Sequence, residues 1–349
     1  SWRIDAGDFF TNHPAVLNPG DLPTNLKQVS GYPMVVTESS WVSPMDYQNE
    51  GPFLASAYES LNGVAGMYWY TATAEQYADD PRVGFENGAS GESLRKYDCS
   101  TPALMGNFPA AALMYRKGYV KRGEPVVMEN RPLGDLWNRR MPVIAEDSDN
   151  WQAFLVGPVM VSYGNAKPNL VSDLSKFIDR DKKIVRSDTG QIRMDYGARV
   201  CTIDAPAAQG VTGFLRKAGE IRLSTIDIAS GNEQASVLAV SMDGAALRDS
   251  REVLVQIGTP SHLSGWETEA AQFVEGDQEK HEGLKVVKIG EPPWMMDATR
   301  VVLTIRNWNL TRASVLDVSG YPVRELALEP DRDGMKIELP RDAMYVVLR

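Results

Sequence analysis

From Phe154 onward the chain is written in short apolar runs of strand length: FLVGPVMVSY, KIVRS, QIRMDY, RVCTIDA, EIRLSTIDI, SVLAVSM, REVLVQIG, LKVVKIG, RVVLTI, SVLDV, KIELP and MYVVLR. Turn-forming residues separate them, notably Asp243-Gly244, Ser319-Gly320-Tyr321-Pro322 and Asp333-Gly334. Short β-rich segments at this spacing predict antiparallel β-sandwich modules over residues 126–349, either one module or two dividing near residue 232. No internal repeat is visible.

The first 125 residues have a different texture. In Gly31–Trp41, GYPMVVTESSW, Pro33 ends what precedes and Met34-Val35-Val36 forms a short apolar run leading to Thr37-Glu38. Such a run suits a strand buried on both faces, as in a parallel sheet, although periodicity alone leaves a buried helix open. Phe53, Ala57 and Leu61 stand at helical spacing in PFLASAYESLN, and Asn62-Gly63 supplies a C-cap. The aromatic run Val64–Thr71 has strand composition, which completes a βαβ unit. Residues 73 to about 100 read as a polar, glycine-rich loop, after which Thr101-Pro102 opens a helix over Ala103–Tyr119. Pro109 implies a kink or break in it, and Arg116, Lys117 and Lys121 place positive charge where the dipole favours it. Before the Glu38 strand, residues 1–30 predict a long loop with one short helix, Leu22–Val29, capped by Asp21. Glu124–Glu129 resembles a linker strand, and Trp137–Pro142 an irregular or short helical piece.

Composition narrows the function classes. The chain has 349 residues, 43% of them hydrophobic, with a net charge of -10 and no concentrated basic surface, so a nucleic-acid partner is not expected. No stretch has the length and apolarity of a membrane span. The chain opens on Ser1-Trp2-Arg3-Ile4, and an N-terminal portion, with any export signal, is expected to lie upstream. Cys99 and Cys201 are far apart and read as buried free thiols. His13, His262 and His281 show no metal-ligand spacing, so neither a catalytic metal nor another cofactor is expected.

The N-terminal third, over roughly residues 8–120, resembles the closing part of a (β/α)8 barrel from the retaining glycoside hydrolases of clan A. The residues that carry the resemblance are Asn12-His13-Pro14, PMVVTE ending in Glu38, PFLASAYESLNG, GMYWYT and PALMGNFPAAALMYRKGYV. The resemblance implies a fold of α/β plus all-β type, with about strands 6 to 8 of a barrel in residues 1–125 and β-sandwich modules after them. It implies Glu38 as the nucleophile, Trp69 or Tyr70 as the aromatic floor of the sugar subsite, and His13 beside the cleft, while Trp41 is a candidate for the aromatic wall that apolar sugar faces call for. Tyr68 and Phe85 are further aromatic candidates, with core packing the more ordinary reading of Tyr68, because successive strand residues face opposite ways. Retaining hydrolysis needs two carboxyl groups about 5–5.5 Å apart, one attacking the anomeric carbon and one protonating the leaving oxygen.

The chain departs from that family in one respect. The family's acid/base glutamate follows an asparagine at the end of the fourth strand, and this sequence holds no such strand. Asn49-Glu50 has the letters, but it lies at a helix entrance and reads as helix-start chemistry. A complete barrel takes typically ~250 residues, so the remaining part is expected on the same gene or on a second chain. The resulting expectation is a fragment of a retaining glycoside hydrolase acting on a polysaccharide or oligosaccharide, inactive alone, and extracellular or periplasmic if bacterial. The alternative is a non-catalytic carbohydrate-binding or assembly module using Trp266, Trp294 and Trp308 as a platform. The acidic stretches Glu267-Thr268-Glu269 and Glu275–Glu282 read as solvated faces, and the sequon Asn309-Leu310-Thr311 as incidental within a strand.

Overall fold

The runs SVLAVS, VLVQIG and YVVL become adjacent strands, Ala235–Ser241, Val253–Gly258 and Tyr345–Leu348, at the centre of a ten-stranded antiparallel sheet. The computed structural model describes residues 3–72, 93–145, 150–164, 167–274 and 280–349. Side chains alternate across this sheet, yet both faces are covered. Val237, Ala239, Val253, Val255, Ile257, Val346 and Leu348 enter one hydrophobic core, and Leu238, Val240, Leu254, Tyr345 and Val347 enter another. Antiparallel strands commonly show water one face and so alternate apolar with polar; these are continuous apolar runs because neither face meets water.

The first core lies against a five-stranded sheet that contains Ile226–Ser230, Val301–Ile305 and Gly334–Glu338, and contributes Ile226, Ile228, Leu303, Ile305, Met335 and Ile337. Together the two sheets form a sandwich. Residue 232 lies between strands of opposite sheets, and Ala208–Gly213 pairs with Ala235–Ser241 across it. The second core lies under helices from the first part of the chain. They are α1 (Glu50–Asn62), α2 (Pro102–Met105) and α3 (Phe108–Lys117). Every residue of α1 is buried, and its end is set by Gly63, whose φ of 66° lies in the left-handed region that favours glycine.

Polar side chains of the sheet hold the N-termini of the helices. Gln256, 3% exposed, accepts from the Ala110 N–H at 2.9 Å and donates to the Asn107 carbonyl at 2.8 Å. Asn107 is the N-cap of α3, so a side chain from the sheet satisfies a backbone donor that the helix itself leaves open. The Tyr345 hydroxyl donates to the Gly106 carbonyl at 2.6 Å. At α1, Asn49 Nδ2 donates to Ser236 Oγ and to the Gly258 carbonyl, both at 3.2 Å, while Ser236 Oγ donates to the Asn49 carbonyl at 2.8 Å.

Val35–Ser39 and Gly66–Trp69 pair in parallel as a two-stranded sheet, with α1 connecting them. A second parallel pair, Val127–Arg131 with Val159–Tyr163, belongs to a four-stranded sheet with Gln28–Val29 and Leu170–Val171 at its edges. The architecture is therefore mixed, with antiparallel strands predominating. The helix expected over Leu22–Val29 is absent: a 3-10 turn, Pro19–Asp21, precedes strand Gln28–Val29. Tertiary partners decide this, because Gln28 Nε2 donates to the Asn62 carbonyl at 2.7 Å and the backbone pairs with Met160 and Val161. The helix expected over Ala103–Tyr119 breaks at Gly106-Asn107 into α2 and α3, with Pro109 in the first turn of α3, where a missing N–H costs nothing. The sequon lies in a turn after Val301–Ile305, with Asn309 and Thr311 exposed, and not in a strand. Cys99 and Cys201 are buried and free. Among the described residues no helix is long and apolar enough to cross a membrane.

Replacing Gln256 with alanine strands a buried N–H and a buried carbonyl and opens a void. Gln256→Ala is expected to lower the unfolding free energy by about 3 kcal/mol in urea titration. A loss within the range of an ordinary surface substitution, about 0.5 kcal/mol, would show that the helices do not depend on this joint.

Candidate functional site

The strand Val35–Ser39 buries Val36 and exposes Thr37 and Glu38. Glu38 stands near the C-terminal end of a parallel pair whose register runs Val35 to Gly66, Val36 to Met67 and, after an irregularity, Ser39 to Trp69. Its carboxylate makes no hydrogen bond or ion pair among the described residues. On the neighbouring strand Met67 and Trp69 share one face, lining a groove beside α1 and α3, while Tyr68 projects oppositely and is 68% exposed. The ring open to solvent beside the Glu38 strand is therefore Tyr68, for which core packing was the ordinary expectation.

The other aromatic candidates are placed differently. Trp41 is 6% exposed and lies over Gly51, where an added Cβ would come within 2.7 Å of the indole. With no free ring face, Trp41 is a packing residue and does not present a sugar platform. Trp69 is half-buried between Trp41, at a ring separation of 5.6 Å, and Phe108, at 4.9 Å. Tyr70 meets Tyr97 edge-on at 6.1 Å. Phe85 lies outside the described residues. His13 is on the surface, its Nε2 3.0 Å from Asp21 Oδ2, and serves the loop. Trp266 and Trp294 pack against the small core around Leu263, whereas Trp308 is exposed.

Asn12, the neighbour of His13, organises a cluster that the sequence did not single out. Asn12 Nδ2 donates to Asp46 Oδ2 at 2.5 Å, and the Asp46 N–H returns a bond to Asn12 Oδ1 at 3.0 Å. His262 Nε2 lies 3.1 Å from Asp46 Oδ1, and its ring stacks on Trp266 at 5.6 Å. His262 lies more than two hundred positions beyond Asn12 and Asp46, so no local spacing announced the cluster. The cluster fastens the loop after Glu38 to strand Ser261–Ser264, part of a separate two-stranded sheet with Glu291–Met296. Among the described residues no group of three His, Cys, Asp or Glu side chains is placed to hold a metal ion.

Three buried carboxyl groups flank the same region. Glu50, at the start of α1, accepts from the Ala15 N–H at 2.5 Å and the Val16 N–H at 3.3 Å, so it clamps the N-terminal loop onto the helix. Burial pushes its pKa up to about 7 against the lowering pull of those donors. This is structural work at a helix start, as its position implied. Burial also raises Asp98, which the Ser100 N–H and hydroxyl partly stabilise. Glu59, on α1, is raised to about 7 by burial alone. Comparison of the chain with family models, with curated proteins and with solved structures gives no match.

The Glu59 shift has a definite sign. Between pH 4.5 and 7 the folded protein holds a proton that the unfolded chain has released, so the stability fully present below about 4.5 is lost as pH rises through 7. Glu59→Gln is expected to gain on the wild type across that interval, by up to ~3 kcal/mol at pH 8 relative to pH 4. Denaturant midpoints at both pH values check it. A difference between the two proteins that does not change with pH would contradict the burial argument.

Proposed function

We propose that the chain is part of a retaining glycoside hydrolase acting on a polysaccharide or oligosaccharide, with Glu38 as the nucleophile. The observation that carries this reading is the placement of Glu38: exposed, unpaired among the described residues, and near the C-terminal end of a strand in a parallel βαβ unit. In barrels built from such units, chemistry is done at that end. Exposed Tyr68 supplies an apolar ring of the kind that C–H faces of sugars stack on, on the strand next to Glu38. In this reading the described strands form part of a (β/α)8 barrel whose other units, with the general acid, come from outside this chain. The buried positions of Glu50 and Asp98 support that assignment, since the backbone or a neighbouring serine already engages each of them.

The carbohydrate-module alternative is weaker on the same grounds. Two of its three candidate tryptophans are committed to packing, leaving Trp308 alone on the surface.

Glu38 is exposed and makes no hydrogen bond or ion pair among the described residues, so its removal separates chemistry from stability. In the complete enzyme Glu38→Gln is expected to cut kcat on aryl glycosides by at least ~10³-fold with an unchanged unfolding midpoint. Turnover within a few-fold of wild type would remove Glu38 from the mechanism.

A further inference from the structure

The helix-side face of strand Gly66–Trp69 opens into a groove between α1 and α3 with a volume of about 300 Å³ and a mostly apolar lining. Met67, Trp69, Phe108 and Tyr115 form its walls, and small residues such as Ala55 and Ala111 keep the two helices from filling it. Glu59 also lines it. That carboxyl is 7% exposed, accepts no hydrogen bond and pairs with no cation among the described residues. The Tyr115 hydroxyl is spent on the Val64 carbonyl, at 2.6 Å. Arg116 lies at the groove as an exposed side chain and makes no ion pair with Glu59.

A carboxylate held in an apolar wall without a partner is costly, and proteins that bury such a charge normally pair it. Glu50, on the same helix, shows the ordinary solution, since two backbone N–H groups meet it. Glu59 lacks one. The group that completes the groove is therefore a positive charge on an apolar stem. An ammonium or guanidinium pairs with the carboxylate in a site of low dielectric, and its apolar stem replaces water along Met67 and the aromatic side chains of Trp69, Phe108 and Tyr115 that line the same groove. A groove of this volume lies at the lower end of the range of small-molecule sites. Anions are disfavoured by Glu59, and a neutral molecule leaves the carboxyl unpaired.

From this arrangement we infer that the groove between α1 and α3 binds a small organic cation, an aryl- or alkylammonium, with Glu59 as its counter-ion. Glu38 is not among the residues that line this groove, and the site stands whether or not the chain hydrolyses sugars. The test uses three matched probes, 2-phenylethylammonium, 2-phenylethanol and phenylacetate, titrated at pH 8 by calorimetry and by tryptophan fluorescence. The ammonium is expected to bind saturably and about tenfold or more tightly than the alcohol, with phenylacetate the weakest of the three. Glu59→Gln is expected to abolish the preference for the cation while leaving the far-ultraviolet circular dichroism unchanged. Because the comparison of probes needs only the wild-type protein, the inference is tested even if the variant folds poorly. Absent binding of the ammonium, equal affinity for ammonium and alcohol, or a cation preference that survives in Glu59→Gln would overturn it.

Discussion

The central strands of the ten-stranded sheet are buried on both faces, and that double burial fixes the rest of the molecule. One face needs a second sheet and the other needs helices, so the N-terminal βαβ unit and the C-terminal strands are parts of one packing problem. A fully buried strand side chain contributes roughly 1.5–3 kcal/mol, and Leu238, Val240, Leu254 and Val347 commit theirs to the helical side. Without α1 and α3 above them, these side chains would be an exposed apolar surface. The helices are also fixed in register, because buried polar groups tolerate few arrangements. Gln256 accepts from a backbone N–H at the start of α3, where a helix leaves its own donors open, and Ser236 donates to the Asn49 carbonyl at the start of α1.

That constraint positions the candidate chemistry. α1 is held at its start by Asn49 and Glu50 and at its end by Gly63, and it joins the two parallel strands. The Glu38 strand is thus paired with a strand that α1 holds in place. Trp41 and Trp69, which as letters invite a sugar-binding role, belong to the support: one indole fills space over Gly51 and the other leans on Phe108. Two acids on one helix have opposite fates. Glu50 is met by backbone donors, whereas Glu59 faces an apolar groove with none. The first locks a loop, and the second leaves a charge for a ligand to answer.

Much of this was legible in the residues, for identifiable reasons. The strands SVLAVSM, REVLVQIG, RVVLTI and MYVVLR stand out because they are apolar over their whole length, and α1 because its spacing and its glycine cap agree. Strand Ala208–Gly213 escapes notice, since Ala208, Gln209, Gly210 and Gly213 carry weak strand preference; burial between two neighbours makes it a strand. Glu291–Met296 pairs with Ser261–Ser264 despite two prolines, which composition argues against. At the site, the position of Glu38 at a strand end followed from local pattern. Which aromatic faces solvent did not, because Tyr68, Trp69 and Tyr70 differ only in the side of the pleat each occupies. The joining of Asn12, Asp46 and His262 depends on how the small sheet of Ser261–Ser264 and Glu291–Met296 meets the N-terminal loops, and sequence spacing carries no trace of it.

The central functional claim is that Glu38 forms the covalent glycosyl intermediate. The most direct test is to treat the complete enzyme with an activated 2-deoxy-2-fluoroglycoside, which slows release of that intermediate, and to map the added mass by peptide sequencing. The account predicts an ester on Glu38, in the peptide that spans Val35 to Trp41. A sugar ester on a different carboxylate, or turnover that never passes through a covalent adduct, would contradict it.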